Sequence, residues 1–230
     1  MKNIVIATIK EWNINNYFEL KKELENEYSL YLLTNKDELS FKNIEKINPK
    51  YIFFPHWSWI IPENIYKNYE CILFHMTDLP YGRGGSPLQN LIINKVYNTK
   101  ISAIKVSKEL DEGDVYLKED FDISKGSANE IYKNASKLIF KKLIPNILRQ
   151  NPTPVRQEGD VVNFKRRTPE QSNIKMLNDV SIANLYDFIR MLDAPSYPKA
   201  YLELDNLKME LFEVIIKDGK LEGRFEVSKH

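Results

Sequence analysis

The sequence predicts an α/β fold: a mostly parallel, twisted sheet flanked by helices, with a small C-terminal α+β appendage. Three observations predict it. Short apolar runs alternate with amphipathic stretches over the first half of the chain. A proline-rich polar stretch, NPTPVRQE at 151–158, interrupts that pattern. A helical pattern and several β-branched and aromatic runs follow it.

Residues 3–9, NIVIATI, read as a buried first strand. Residues 17–28 carry Leu20, Leu24 and Tyr28 at helical spacing. Residues 30–33 and 51–54 are the second and third strands, and 63–68 a short helix. Residues 71–75, 101–107 and 114–117 supply strands four to six. Over 127–148 the pattern is a single helix: Ser127 and Glu130 form a capping box. Ile131, Ala135, Leu138, Ile139 and Ile144 mark its apolar face, and Pro145 kinks or ends it. Residues 151–165 form a linker between a domain at 1–150 and the appendage at 166–230. The appendage holds a helix at 181–192, with Ile182, Leu185, Tyr186 and Ile189 on one face. Strands at 199–204 and 211–216 come next, and a hairpin turns at Asp218-Gly219 into a strand at 221–227. The strand and helix alternation makes the main sheet Rossmann-like.

The chain has 230 residues, enough for one full core, with 43% hydrophobic and 28% charged residues, which excludes global disorder. Its formal net charge of +1 provides no overall field for a polyanion, so a dedicated nucleic-acid binder is not expected. One cysteine, Cys71, excludes an internal disulfide. No run reaches the roughly 18 apolar residues of a membrane span, and the N-terminus reads as a strand, so a cytoplasmic protein is expected. Of three histidines, His230 is a frayed terminus; His56, His75 and Cys71 lie at no metal-ligand spacing, so no metal is expected.

The densest chemical signal is FHMTDLPYGRGGSP at 74–87. A strand ends at His75, and the loop after it is rich in Gly and Pro. Ligands of open α/β sheets sit beyond the carboxyl ends of strands. The loop is neither a phosphate-binding G-x-x-x-x-G-K-S/T loop nor a dinucleotide G-x-G-x-x-G. A second signal is LDEGD at 110–114, read as a turn in which Gly113 supplies a positive φ. Asp111 stands thirty-six positions beyond His75, each at or past a strand end, so adjacent strands would bring both to one edge of the sheet.

These residues resemble the N10-formyltetrahydrofolate-dependent formyltransferases. Their signature is Asn-x-His-x-Ser-Leu-Leu-Pro-x-Tyr-Arg-Gly, two or three residues, then Pro, with an Asp in a Leu-Asp-x-Gly turn thirty-six positions after the His. His75, Thr77, Leu79, Pro80, Arg83, Gly84, Pro87 and Asp111 fall on it. The resemblance covers about residues 1–148. KRRTPEQS and IRMLDAPSYPKAYL are similar to the following segment of longer members, which act on nucleotide-linked amino sugars and methionyl-tRNA. One departure stands out: the family Asn, a donor to the forming oxyanion, is Leu73 here. His56, Ser58 or backbone N–H groups of residues 82–85 are the candidate substitutes.

The resemblance implies formyl transfer from N10-formyltetrahydrofolate, as co-substrate, to a primary amine, with His75 as general base and Asp111 fixing its tautomer. It implies a folate pocket between Trp57, Ser58, Trp59 and Ile60 on one side and Asp111, Glu112, Gly113 and Asp114 on the other, with Arg83 beside them. Arg166 and Arg167 suit a diphosphate and, with Thr77 and Gln89, make up the expected acceptor site. The acceptor implied is a nucleotide-linked amino sugar, and the assembly a homodimer through the appendage. Rival readings are a formylation domain acting on a carrier-bound aminoacyl group, a formyltetrahydrofolate hydrolase, and a non-catalytic folate- or nucleotide-binding module.

Overall fold

The computed structural model describes residues 1–195 and 197–229; His230 lies outside them. In chain order the first elements are β1 (Lys2–Ala7), α1 (Glu11–Leu24), β2 (Tyr28–Leu33), α2 (Phe41–Ile47), β3 (Tyr51–Phe54), α3 (Glu63–Tyr66) and β4 (Cys71–His75). Then come β5 (Tyr81–Gly84), α4 (Pro87–Ile93), β6 (Asn98–Lys105), β7 (Val115–Asp122), α5 (Ala128–Leu138), α6 (Ile144–Gln150) and β8 (Val162–Phe164). The chain ends with α7 (Ile182–Arg190), β9 (Ala200–Leu204), β10 (Leu207–Lys217) and β11 (Lys220–Lys229).

The main sheet has the order β2-β1-β3-β4-β6-β7. β1 pairs in parallel with β2 and β3, and β3 with β4, whereas β6 runs antiparallel to β4. The sheet is therefore largely parallel, as expected. Ile4, Val5, Ile6, Ile52, Phe53 and Ile72 are fully buried, because strands covered on both faces are apolar on both.

By contacts the chain forms two compact units. Residues 1–83, 100–121 and 133–162 make the first, and residues 84–99, 122–132 and 163 onward the second. This division does not follow the linear boundaries read from the sequence. Residues 151–162, expected within the linker, belong to the first unit, where Val155 and Val115 exchange two backbone hydrogen bonds of 2.7 and 2.9 Å.

Several local expectations are corrected. Tyr28 opens β2 instead of closing α1. The single helix expected at 127–148 is α5, a π-helical turn at Ile139–Leu143 and α6. Its capping box is present, Ser127 N donating to Glu130 at 2.8 Å. Pro145 does not end the helix: it stands in the first turn of α6, directly after the π-helical turn, where the regular i to i−4 pattern is already interrupted. In α7, Ile182 is 45% exposed, and the buried positions are Asp187, Phe188, Ile189 and Arg190.

In the second unit, β9, β10 and β11 form an antiparallel sheet. Its tight turn has Asp218 at φ 49° and Gly219 at φ 72°, the pair of positive values a two-residue hairpin loop needs. Arg190 is held by Asp187 at 2.8 Å and by the Ile123 and Gly126 carbonyls at 3.0 Å. Lys95 and Tyr97 complete the ring around Asp187, at 2.9 and 2.6 Å.

Candidate active site

β4 delivers His75 at its carboxyl end, 7% exposed. The imidazole Nε2–H donates to the Gly82 carbonyl at 2.8 Å, and Nδ1 faces Asp111 Oδ2 at 3.6 Å. Gly82 stands at φ 80°, a conformation glycine adopts without strain. Asp111 is also 7% exposed. The two groups expected to meet do meet.

They meet for a reason other than the one expected. β6 is antiparallel to β4, with Ser102 opposite His75 and Lys105 opposite Ile72. The chain thus leaves β6 at the far end of β4 from His75. The loop over 106–114 brings Asp111 back. Val106 N bonds Cys71 O at 2.8 Å, and Lys105 N bonds Asp114 O at 2.8 Å. The positive φ in this loop belongs to Asp111, at 57°, not to Gly113. Gly113 is required for space: a Cβ there would stand 1.7 Å from the Lys105 carbonyl oxygen.

Arg83, expected to touch the folate, has its guanidinium engaged within the first unit. Nη1 binds Glu112 at 2.9 Å, while Nε and Nη2 reach Gln157 Oε1 at 3.1 and 2.9 Å. Gln157 escaped the sequence reading, hidden in a stretch that read as linker. Its Nε2 donates to the Asp111 and Gly113 carbonyls, both at 2.8 Å.

The loop after β3 is open to solvent. Ser58 is exposed, Trp59 is 41% exposed and Ile60 96%. Trp57 is half-buried, edge-on to Trp59 at 4.9 Å, and its buried Nε1 has no hydrogen-bond partner among the described residues. An exposed isoleucine and indole beside an orphaned donor fit a flat ligand with a polar rim. His56, at φ 60°, lies edge-on to Trp12 at 6.1 Å. Burial first, and Lys10 second, lower its pKa to about 4, so it is a neutral imidazole at pH 7. Leu73 packs against Leu79, Ile104 and Val115 and brings no donor.

The expected acceptor residues fare differently. Thr77 is fully buried, its hydroxyl 3.4 Å from the Gly82 carbonyl, so it braces the loop instead of facing solvent. Gln89 is fully buried in the second unit because α4 turns it inward, and it donates to Tyr132 at 3.1 Å and the Met191 carbonyl at 2.9 Å. Arg166 is exposed. Arg167 is half-buried and lines a cavity of about 300 Å³ in the second unit, with Lys95, Met176 and Phe188. Burial lowers its pKa, and its Nε has no partner among the described residues. Among the described residues no cluster of three metal-ligating side chains occurs, and no helix is long and apolar enough to cross a membrane.

Comparison with known proteins gives a consistent picture. A family profile described as the C-terminal domain of methionyl-tRNA formyltransferase matches residues 169–228. The methionyl-tRNA formyltransferase of Campylobacter jejuni subsp. doylei is 25% identical over 197 residues, 84% of this chain and 63% of that protein. The chain thus spans less than two thirds of that curated relative. The solved structure of a methionyl-tRNA formyltransferase from Clostridium thermocellum is 49% identical, covers 100% of both chains and superposes with a TM-score of 0.96. A sugar N-formyltransferase from a Shewanella species shares the fold, with a TM-score of 0.69 and 15% identity over 97% of this chain and 96% of that one. The sugar acceptor expected from the sequence is therefore not what the more similar relatives are named for. On the full-length match at 49% identity, the chain belongs to the formyltransferase family.

Proposed function

We propose that the chain moves the formyl group of N10-formyltetrahydrofolate to a primary amine. The observation that carries this is the buried pairing of His75 Nδ1 with Asp111 Oδ2 at 3.6 Å, in a member of the formyltransferase family. When bound, the folate supplies an activated formyl group. The exposed loop of Trp57, Ser58, Trp59 and Ile60 and the turn at Asp111, Glu112, Gly113 and Asp114 are the walls that suit it.

The protein's part is proton transfer and placement. An ammonium has no lone pair, so the attacking amine must lose a proton. With Nε2–H committed to Gly82, the basic nitrogen of His75 is Nδ1. The Gly82 carbonyl sets the tautomer, a role the sequence reading gave to Asp111. Asp111 instead faces the proton that Nδ1 accepts and stabilises the imidazolium, and that proton, or one from water, goes to N10 as tetrahydrofolate leaves. General-base help of this kind contributes about 100- to 10,000-fold. His56, a neutral imidazole at pH 7, is the proposed stand-in for the oxyanion donor that Leu73 lacks.

For the acceptor, the names of the more similar relatives favour the amine of methionyl-tRNA. A nucleotide-linked amino sugar is the second reading. The even charge balance favours it, since a net charge of +1 supplies no overall field to draw in a polyanion. The half-buried Arg167 guanidinium suits a phosphate in either reading. A homodimer through the β9–β11 sheet is also proposed, because Ile215, Ile216, Phe225 and Val227 are 55, 47, 63 and 47% exposed. A monomer in sedimentation at micromolar concentration would remove that part.

The test is release of tetrahydrofolate from the 10-formyl compound with methionyl-tRNA and, in parallel, a panel of nucleotide-linked amino sugars. Turnover with one class assigns the acceptor. Folate binding without turnover on any amine would replace the enzyme with a binding module.

A further inference from the structure

The carboxamide of Gln157 is saturated in one orientation. Arg83 offers only donors, so it must face Oε1, and it does so through Nε at 3.1 Å and Nη2 at 2.9 Å. The Asp111 and Gly113 carbonyls offer only acceptors, so they must face Nε2, each at 2.8 Å. Arg83 Nη1 adds a bond to Glu112 at 2.9 Å. Three hydrogen bonds therefore tie residues 111 to 113 to the side chains of Gln157 and Arg83, and two more join those side chains to each other.

These residues need such ties. Asp111 is at φ 57°, sparsely populated for a residue with a side chain, and such conformations persist where the surroundings over-determine them. The loop must also turn back from the far end of β6 to reach His75. Backbone bonds at Val106 and Asp114 flank the turn.

We propose that Gln157 is a positioning residue, which acts through the Asp111 main chain to hold the Asp111 carboxylate against His75. The inference rests on the proposed base role of His75. A misplacement of about 1 Å can cost on the order of 100-fold in rate.

Gln157→Glu is the discriminating variant. It is isosteric, and it keeps an oxygen towards Arg83. It replaces the donor by a second oxygen set against two carbonyl oxygens. The expected loss in kcat is about 10- to 100-fold, with the acceptor KM held within threefold. In an Asp111→Ala background the same substitution should cost less than threefold, because residues acting as one unit are not additive. Equal losses in both backgrounds would overturn the proposal.

Amide hydrogen exchange of the ligand-free protein supplies the readout that does not depend on turnover. Exchange at residues 111–114 should rise at least about tenfold in Gln157→Glu, with β3 and β4 unchanged. Gln157→Leu, which removes both arms without adding a charge, should do the same and serves if the Glu variant fails to fold. Unchanged exchange at 111–114 in the folded variant would overturn the latch. Absence of formyl transfer in the wild type would overturn the proposed function and leave the exchange result to decide the latch alone.

Discussion

Asp111 Oδ2 stands 3.6 Å from His75 Nδ1, although the strands leading to them run in opposite directions. Proximity comes from the returning loop, so the site depends on loop geometry as much as on the sheet.

His75→Ala removes the imidazole that faces Asp111. Its kcat should fall about 100- to 10,000-fold, with affinity for a folate analogue within a few-fold. Asp111→Asn should fall less, because Gly82 and not Asp111 orients the ring. Steady-state kinetics and folate titration check both, and wild-type kcat in either would refute the assigned roles.

Leu73→Asn restores the donor that the family carries at this position. If the oxyanion is underserved, turnover should rise about tenfold or more. Stability should drop by about 1–3 kcal/mol, because a polar group enters the contact with Leu79, Ile104 and Val115. Unchanged turnover in the folded variant would show that another donor already serves the oxyanion.

Gly113→Ala adds a Cβ that would meet the Lys105 carbonyl at 1.7 Å. The loop must shift, so activity should fall at least about 100-fold while the circular dichroism of the sheet is retained. Full activity would mean that the 106–114 loop is not constrained as described.

Asp187→Asn leaves the buried Arg190 guanidinium, 1% exposed, without its carboxylate. The expected cost is about 3–5 kcal/mol in denaturant titration. Burial would raise the Asp187 pKa, but hydrogen bonds from Tyr97, Lys95 and Arg190 outweigh it and hold the carboxyl below its usual value. A depressed carboxylate stabilises above its unfolded pKa, near 4, and loses that contribution as pH falls through the folded value. Wild type and variant should therefore converge in stability below about pH 4, and a constant gap would contradict the pairing.

His56, with its pKa lowered to about 4, resists protonation when folded, while the unfolded chain takes up the proton near pH 6.5. Stability is then lost as pH falls from about 6.5 to about 4. His56→Asn, which tolerates the positive φ, should flatten that slope. An unchanged slope in His56→Asn would contradict the assignment of this pH dependence to His56.

What the sequence determined by itself was local. Tyr51–Phe54 and Cys71–His75 coincide with apolar runs bounded by polar residues or proline, because a strand buried on both faces must be apolar throughout. The Ser127 cap and the Asp218-Gly219 turn were equally legible, since each depends on neighbours within four residues. The Phe74-to-Pro87 stretch and the spacing to Asp111 marked the site.

Tertiary structure decided what rests on distant partners. A polar side chain looks the same in sequence whether solvent, a ligand or the protein itself takes its hydrogen bonds. Thr77 and Gln89 read as substrate contacts but are buried and bonded internally. Gln157 read as linker, and its four hydrogen bonds lead to residues at least forty positions away. Strand direction was hidden for the same reason: the antiparallel placement of β6 is a choice of hydrogen-bond partner, which periodicity along one strand does not encode.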